Sequence, residues 1–183
     1  MSSDSETDNQ PIHLMANRFR GYLPVVIDIE TGGFNSQTDA ILEIAATTLR
    51  LDEVGNCHAH QTHSYHIEPF EGSNIEKAAL EFTGINPYHP LRPSQLEDKV
   101  FRDMFTHIRA EMKQAQCKRA ILVGHNSSFD LGFLNAAVER CSIKRNPFHP
   151  FSSFDTATLS GLALGQTVLS IACRNAGIDF NNE

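Results

Sequence analysis

The sequence predicts an α/β fold in which a mixed five-stranded sheet is flanked by helices. Two apolar strand patterns and a third candidate strand, joined by short loops, come first, which is typical of an antiparallel meander. Helical and strand patterns then alternate, which favours further strands with helices packed on the sheet. A chain of 183 residues, 40% of them hydrophobic, suffices for one core, so we expect a single domain.

The five predicted strands are short segments bounded by polar or glycine-containing loops. The first three cover residues 25–29, 41–49 and 63–67. The last two are shorter, at 120–123 and 151–154, and a proline-bracketed loop at 146–150 precedes the fifth.

Helices are predicted between and after these strands. A short one covers 75–82, and a longer one covers 96–112, where apolar residues recur every four positions: Leu96, Val100, Met104, Ile108 and Met112. Ser127 or Ser128 can cap a third helix that runs to about Arg140. Two more helices follow at 156–164, capped by Asp155, and at 168–176, ended by Gly177.

Composition and charge narrow the function classes. The formal net charge of −7 argues against a protein that coats nucleic acid through bulk charge, so such a partner must be held locally. The four cysteines show no disulfide-like spacing, and no apolar run reaches the ~20 residues of a membrane span. We expect a soluble cytoplasmic protein without a membrane partner. Residues 1–16 are predicted to be a disordered acidic tail, and 17–183 the folded domain.

The first candidate site is a pair of carboxylates. Asp28 and Glu30 are two apart on a predicted strand, so their side chains leave the same face. Their strand supplies no cation, and a divalent ion relieves their repulsion best. Carboxylate oxygens favour Mg²⁺ or Mn²⁺ over Zn²⁺. Gly32 and Gly33 then let the backbone approach a ligand closely. The alternative is a solvated acidic strand edge.

The second candidate is Asp130, in the first turn of the helix after the strand 120–123. A carboxylate there complements the helix dipole, which is worth only ~0.3 to 1 kcal/mol. The two segments can nevertheless converge, because each strand ends in carboxylates at a loop. Such convergence builds a two-metal phosphodiesterase site.

Together these stretches resemble the DEDD exonucleases, which have a ribonuclease H-like fold and remove single nucleotides from 3′ ends. The motifs are residues 28–33, Asp-Ile-Glu-Thr-Gly-Gly, and 125–130, His-Asn-Ser-Ser-Phe-Asp. Within that family the ribonuclease T-like enzymes are the most similar. Their likeness extends over 18–180 through further segments at 18–21, 40–46, 144–151 and 154–157.

The resemblance implies a 3′-to-5′ exoribonuclease that trims tRNA 3′ ends, including the terminal CCA, and other structured RNAs with single-stranded 3′ overhangs. It implies two Mg²⁺ ions, with Mn²⁺ also usable, held by Asp28, Glu30 and Asp130, and release of nucleoside 5′-monophosphates. It also implies a homodimer in which a basic patch of one subunit guides RNA to the other. Two alternatives stay open: a proofreading-type DNA exonuclease, and a module that binds single-stranded 3′ ends without hydrolysis.

The family's third motif, a histidine followed five residues later by an aspartate, comes after a segment resembling residues 165–180. The sequence ends at Glu183 before either residue, so we expect a C-terminally incomplete domain. Lack of a general base alone costs ~10²- to 10⁴-fold in rate. Asp155 and His125 are possible substitutes, but a helix cap and a core role respectively explain them better.

Aromatic side chains are the candidate base-binding groups. Phe34 lies in a polar loop directly after the acid pair, and Phe129 adjoins Asp130. Stacking on such rings is worth ~1 to 3 kcal/mol per base, which would hold RNA despite the negative net charge. The resemblance adds Phe82 and Phe151, for which core packing is the alternative. The family's acidic residue one turn before the second ring is replaced here by Ala78, with Glu76 and Glu81 nearby.

Two further clusters have simpler explanations. The histidines at 58, 60, 63 and 66 suggest a zinc site, but alternation along a hairpin accounts for them without a metal. Basic residues concentrate at 113–119 and 140–145, which is common on a solvated face and which the resemblance assigns to the RNA-guiding patch.

Overall fold

The computed structural model of the chain describes residues 14–180. It contains five strands and five α-helices, preceded by 3₁₀ turns at Met15–Asn17 and Phe19–Gly21. The strands are β1 (Tyr22–Thr31), β2 (Ile41–Leu51), β3 (Cys57–His66), β4 (Arg119–Gly124) and β5 (Phe148–Asp155). The helices are α1 (Lys77–Thr83), α2 (Glu97–Gln114), α3 (Ser128–Arg140), α4 (Thr156–Leu164) and α5 (Leu169–Asn175).

The five strands form one mixed sheet in the order β3-β2-β1-β4-β5. β1, β2 and β3 are antiparallel neighbours, which confirms the meander, and β4 runs parallel to both β1 and β5. β1 is therefore central, and its carboxyl end lies beside that of β4. This arrangement confirms the predicted fold class.

The core lies between the sheet and the two long helices. In α2 the buried stripe is wider than the predicted four-residue repeat, since Phe101 and Phe105 are fully buried whereas Leu96 is 65% exposed. A strict repeat of four drifts by about 40° per step on a helix that turns about 100° per residue. The repeat therefore leaves the core at its ends, and the neighbouring phenylalanines fill the stripe.

Several predicted boundaries and one cap differ from the structure. β3, predicted at 63–67, already begins at Cys57. Residues 1–13 of the predicted tail lie outside the described residues, but Met15 is buried in the core, so the fold begins before residue 17. β5 begins at Phe148, inside the predicted loop, because that ring is buried opposite Ala120. Ser127 does not cap α3 through its side chain; its hydroxyl is hydrogen-bonded to that of Ser153 at 2.9 Å.

Among residues 14–180 no single helix has the length and apolar composition to cross a membrane; α4 and α5, bent by 44°, meet those criteria only as a pair.

Candidate active site

The carboxyl half of β1 carries two acidic side chains past the end of a neighbouring strand. The parallel ladder between β1 and β4 stops at the Val26–Val123 pair. Beyond it, Asp28 is exposed and Glu30 is half-buried, as expected for alternate residues facing the same side. The end of this ladder leaves backbone groups of β1 available for another element.

Asp130, in the first turn of α3, fills that position. The backbone N–H groups of Ile29 and of Asp130 itself act on its carboxylate and favour its charged form. Gly124, the last residue of β4, makes room for it, since a Cβ there would lie 3.2 Å from Oδ2 of Asp130. The structure therefore brings Asp130 to the backbone between Asp28 and Glu30, and we call these three side chains the carboxylate cluster.

The carboxylate cluster holds excess negative charge. Burial, with the charges of Asp28 and Glu30, raises the pKa of Asp130 from 3.8 to about 7, despite its backbone hydrogen bonds. Burial also raises the pKa of Glu30, with contributions from Asp28 and Glu43. None of the ion pairs among the described residues involves a member of the cluster. A bound cation would relieve this repulsion.

The donor chemistry of the cluster suits a hard divalent cation. All its ligands are carboxylate oxygens, the type that Mg²⁺ and Mn²⁺ prefer. Within the described part of the chain, however, no group of three or more His, Cys, Asp or Glu side chains is arranged to hold a metal ion. An ion held there would need waters and substrate phosphate oxygens to complete its ligand shell, which is how Mg²⁺ usually binds.

A cleft of about 370 Å³ opens beside Glu30, and we call it the aromatic cleft. β1 and its following loop form one wall, α1 the second, and Phe129 of α3 the base. Phe34 and Phe82 face this space and are 84% and 90% exposed. Phe34 meets the Phe129 ring edge-on at a centroid distance of 6.2 Å. Its full lining is Ile29, Glu30, Thr31, Gly33, Phe34, Glu76, Ala78, Ala79, Phe82, Thr83 and Phe129.

Phe151 does not join the other three predicted phenylalanines, since it is not among the described residues that line the aromatic cleft. The pairing between β4 and β5 is irregular between Ala120 and Leu122, and Phe151 lies on β5 in that interval. It is 80% exposed and meets the ring of His149 edge-on at 4.5 Å. The irregular stretch turns this ring outward, so the structure gives it a separate surface.

Asp155 and His125 are both engaged elsewhere. Asp155 accepts hydrogen bonds from the Ala157 N–H, the Thr158 hydroxyl and the Asn126 N–H, at 2.9–3.0 Å. Burial opposes them, but these bonds lower its pKa overall, as expected of a helix cap. The half-buried His125 ring contacts the Thr156 hydroxyl and, at 2.7 Å, a backbone carbonyl of the loop before α5.

Sequence reasoning missed Glu43, which lies directly across the ladder from Glu30. Its charge raises the pKa of Glu30, while Arg92 and His66 bond it on the other side. The strand register that pairs these two glutamates is not visible in the sequence. Glu76, noted only as a neighbour of Ala78, lines the aromatic cleft.

The basic residues predicted to act together have different surroundings. Arg140 makes a two-pronged ion pair with buried Glu97, at 2.7 and 2.8 Å, and stacks over the Phe70 ring, so its guanidinium is already engaged. Lys144 and Arg145 line a groove with Arg102 and Arg109 instead. That groove remains a candidate anionic-ligand surface.

Comparison with known proteins decides the family. Residues 25–183 match the RNase T family model, described as exonuclease. The chain belongs to this exonuclease family. The recognised resemblance is thereby confirmed, and the chain contains an exonuclease domain.

Solved structures of exonuclease I share the fold of this exonuclease domain. A product-bound form has a TM-score of 0.66 at 16% identity, covering 88% of this chain and 40% of the other. The Escherichia coli enzyme in complex with a dT13 oligonucleotide has a TM-score of 0.66 at 17% identity, covering 88% and 37%. A zinc-bound form of the E. coli complex with single-stranded DNA has a TM-score of 0.67 at 16% identity, covering 88% and 36%. The chain thus spans about two fifths of the length of these proteins or less. Exonucleases of this family typically use divalent metals.

Proposed function

We propose that this chain is the catalytic domain of a 3′-to-5′ exoribonuclease that trims tRNA 3′ ends, including the terminal CCA, and other structured RNAs in the cytoplasm. The observation that supports this most is the carboxylate cluster opening onto the aromatic cleft. A 3′-terminal nucleotide needs both a cation site for its phosphate and a surface for its base, and here Glu30 belongs to each.

In the proposed reaction, Asp28, Glu30 and Asp130 would hold Mg²⁺ or Mn²⁺. The bound ions would supply Lewis acidity, which makes a water nucleophilic and offsets the charge on the leaving 3′ oxygen. Attack of that water on phosphorus, with cleavage of the bond to the 3′ oxygen, would release a nucleoside 5′-monophosphate. The backbone N–H of Ile29 favours the ionised form of Asp130, which is the form that binds a cation. Burial of Asp130 makes ion binding dependent on loss of its proton.

Phe34, Phe82 and Phe129 are proposed to hold the terminal base by stacking, at ~1 to 3 kcal/mol per base. This local grip suits a chain with a net charge of −7. We further propose a homodimer. In it, the groove lined by Arg102, Arg109, Lys144 and Arg145 of one subunit is the proposed path for the RNA that enters the active site of the other subunit.

The test uses 5′-labelled tRNA ending in CCA and a 3′-overhang oligoribonucleotide, with enzyme in excess. We expect stepwise 3′ shortening in Mg²⁺ or Mn²⁺, none in EDTA, and none with Asp28→Asn. Glu53→Gln, which removes a charge from an exposed turn, should behave as wild type. Shortening that survives EDTA or Asp28→Asn would refute the proposal. So would the absence of shortening with either ion in an incubation long enough to detect a rate lowered ~10⁴-fold by the missing general base.

A second candidate is a DNA 3′-to-5′ exonuclease, which the fold shared with exonuclease I bound to single-stranded DNA favours. Matched RNA and DNA oligonucleotides of one sequence separate the two. Faster shortening of RNA supports the first proposal, and faster shortening of DNA supports the second.

A further inference from the structure

A second buried carboxylate lies beside the aromatic cleft without facing it. Asp39 is only 2% exposed. Its Oδ2 accepts a 2.9 Å hydrogen bond from the Asn35 N–H, and its Oδ1 accepts bonds from the Thr38 hydroxyl at 2.8 Å and the Asn74 amide at 3.0 Å. Burial acts to raise the pKa of Asp39, but these bonds, with a further contribution from the backbone of Phe34, outweigh it and lower the pKa below 3.8. The carboxylate is therefore a fully bonded anion.

These bonds join the two walls of the aromatic cleft. Asn74 precedes α1, the helix that carries Phe82, and forms an isolated parallel β-bridge with Asp39. At the start of α1, the Glu76 N–H donates a 2.6 Å hydrogen bond to the carbonyl of Gly32. The segment before α1 is thus fixed to the loop after β1, and Asp39 is the only side chain among the described residues bonded to both.

Close packing leaves this carboxylate little freedom. A Cβ on Gly33 would overlap the Asp39 carboxyl group, so the carboxylate lies directly against the loop backbone. Phe34 follows Gly33 directly, and its ring forms part of one wall of the aromatic cleft. A shift of Asp39 would therefore move Phe34 relative to α1.

We propose that Asp39 is a positioning residue that sets the spacing of the two aromatic walls and thereby the affinity for the 3′-terminal base. This inference rests on the proposed function and adds to it. Asp39 is not among the described residues lining the aromatic cleft, so it acts through Phe34 and Phe82 and does not touch the nucleotide.

The test is the binding of a fluorescent oligoribonucleotide in EDTA, where no hydrolysis interferes. Asp39→Asn replaces one acceptor oxygen with a donor group and should raise Kd at least about fivefold, the loss expected when stacking on one ring is weakened. An oligonucleotide of the same length whose 3′-terminal nucleotide is abasic should bind both proteins equally. Added to Phe82→Ala, Asp39→Asn should have little further effect on Kd, because one wall is already gone.

Glu97→Gln is the matched control, since it alters another buried carboxylate, bonded to Arg140 and outside the aromatic cleft. It should lower Tm without changing Kd. Asn74→Ala removes a single bond to Asp39 and should weaken base-dependent binding in the same direction, which keeps the test decisive if Asp39→Asn does not fold.

Unchanged Kd in both Asp39→Asn and Asn74→Ala overturns the inference, and so does equal weakening for the abasic oligonucleotide. If wild type shortens RNA while these variants bind normally, only the positioning role fails. If wild type neither binds nor shortens any oligonucleotide, the proposed function fails and the positioning role with it.

Discussion

Replacing Asp130 with asparagine should stabilise the metal-free protein at pH 8. The pKa of Asp130 is about 7 in the folded protein and 3.8 in the unfolded chain. The charged carboxylate is therefore less stable in the folded protein, and its ionisation lowers the free energy of unfolding as the pH rises. The difference is about three pKa units at about 1.4 kcal/mol each, so the penalty approaches about 4 kcal/mol at pH 8. Asparagine removes the charge and keeps a side-chain oxygen that can accept a hydrogen bond from the Ile29 N–H.

The sign with pH follows from the raised pKa. Below about pH 3 the carboxyl group is protonated in both states and there is no penalty. As pH rises, the unfolded chain ionises first, so stability falls until pH exceeds the folded pKa. At pH 5 the penalty is only about 1.5 kcal/mol.

Urea denaturation in EDTA at pH 5 and pH 8 measures the free energy of unfolding of wild type and of Asp130→Asn. We expect the difference in favour of the variant to grow by about 2 to 3 kcal/mol from pH 5 to pH 8. Glu53→Gln, the same charge change in an exposed turn, should show no such growth. An advantage that is equal at both pH values, or a variant less stable than wild type at pH 8, would refute the reasoning.

Three further predictions follow from individual contacts. Phe82→Ala should weaken oligonucleotide binding by about 5- to 150-fold in an anisotropy titration while hardly changing Tm, because the ring is 90% exposed. Arg140→Ala leaves buried Glu97 unpaired and should lower the free energy of unfolding by about 3 to 5 kcal/mol in urea; a loss below about 1 kcal/mol would contradict this. Gly33→Ala should cost about 1 to 3 kcal/mol in the same measurement, because its methyl group collides with Asp39, and a neutral effect would show that the loop can move aside.

The fold was largely predictable because its signals are local. Residues 25–27 form a continuous apolar run, and Gly165 and Gly177 follow helices α4 and α5 with positive φ, as helix-ending glycines do. Errors arose where tertiary contacts decide. The turn at Met15 joins the core through packing that no periodicity reveals, and β5 starts early because Phe148 is buried there.

The candidate site divides in the same way. Asp28 and Glu30 are readable because their spacing on one strand defines their shared face. The position of Asp130 depends on where the ladder between β1 and β4 ends, and the position of Glu43 depends on the register of β1 and β2. Only the structure shows that these side chains lie close together. Phe151 shows the reverse case, since it lies where the ladder is irregular and apart from the rings with which the resemblance grouped it.

Binding of Mn²⁺, followed by electron paramagnetic resonance, is the most direct test of the claim that Asp28, Glu30 and Asp130 form one cation site. We expect wild type to bind Mn²⁺ more tightly as pH rises toward about 7, since Asp130 must lose its proton. We also expect an asparagine or glutamine at any of the three positions to weaken Mn²⁺ binding at least about tenfold. Binding that is independent of pH, or that survives all three substitutions unchanged, would contradict it.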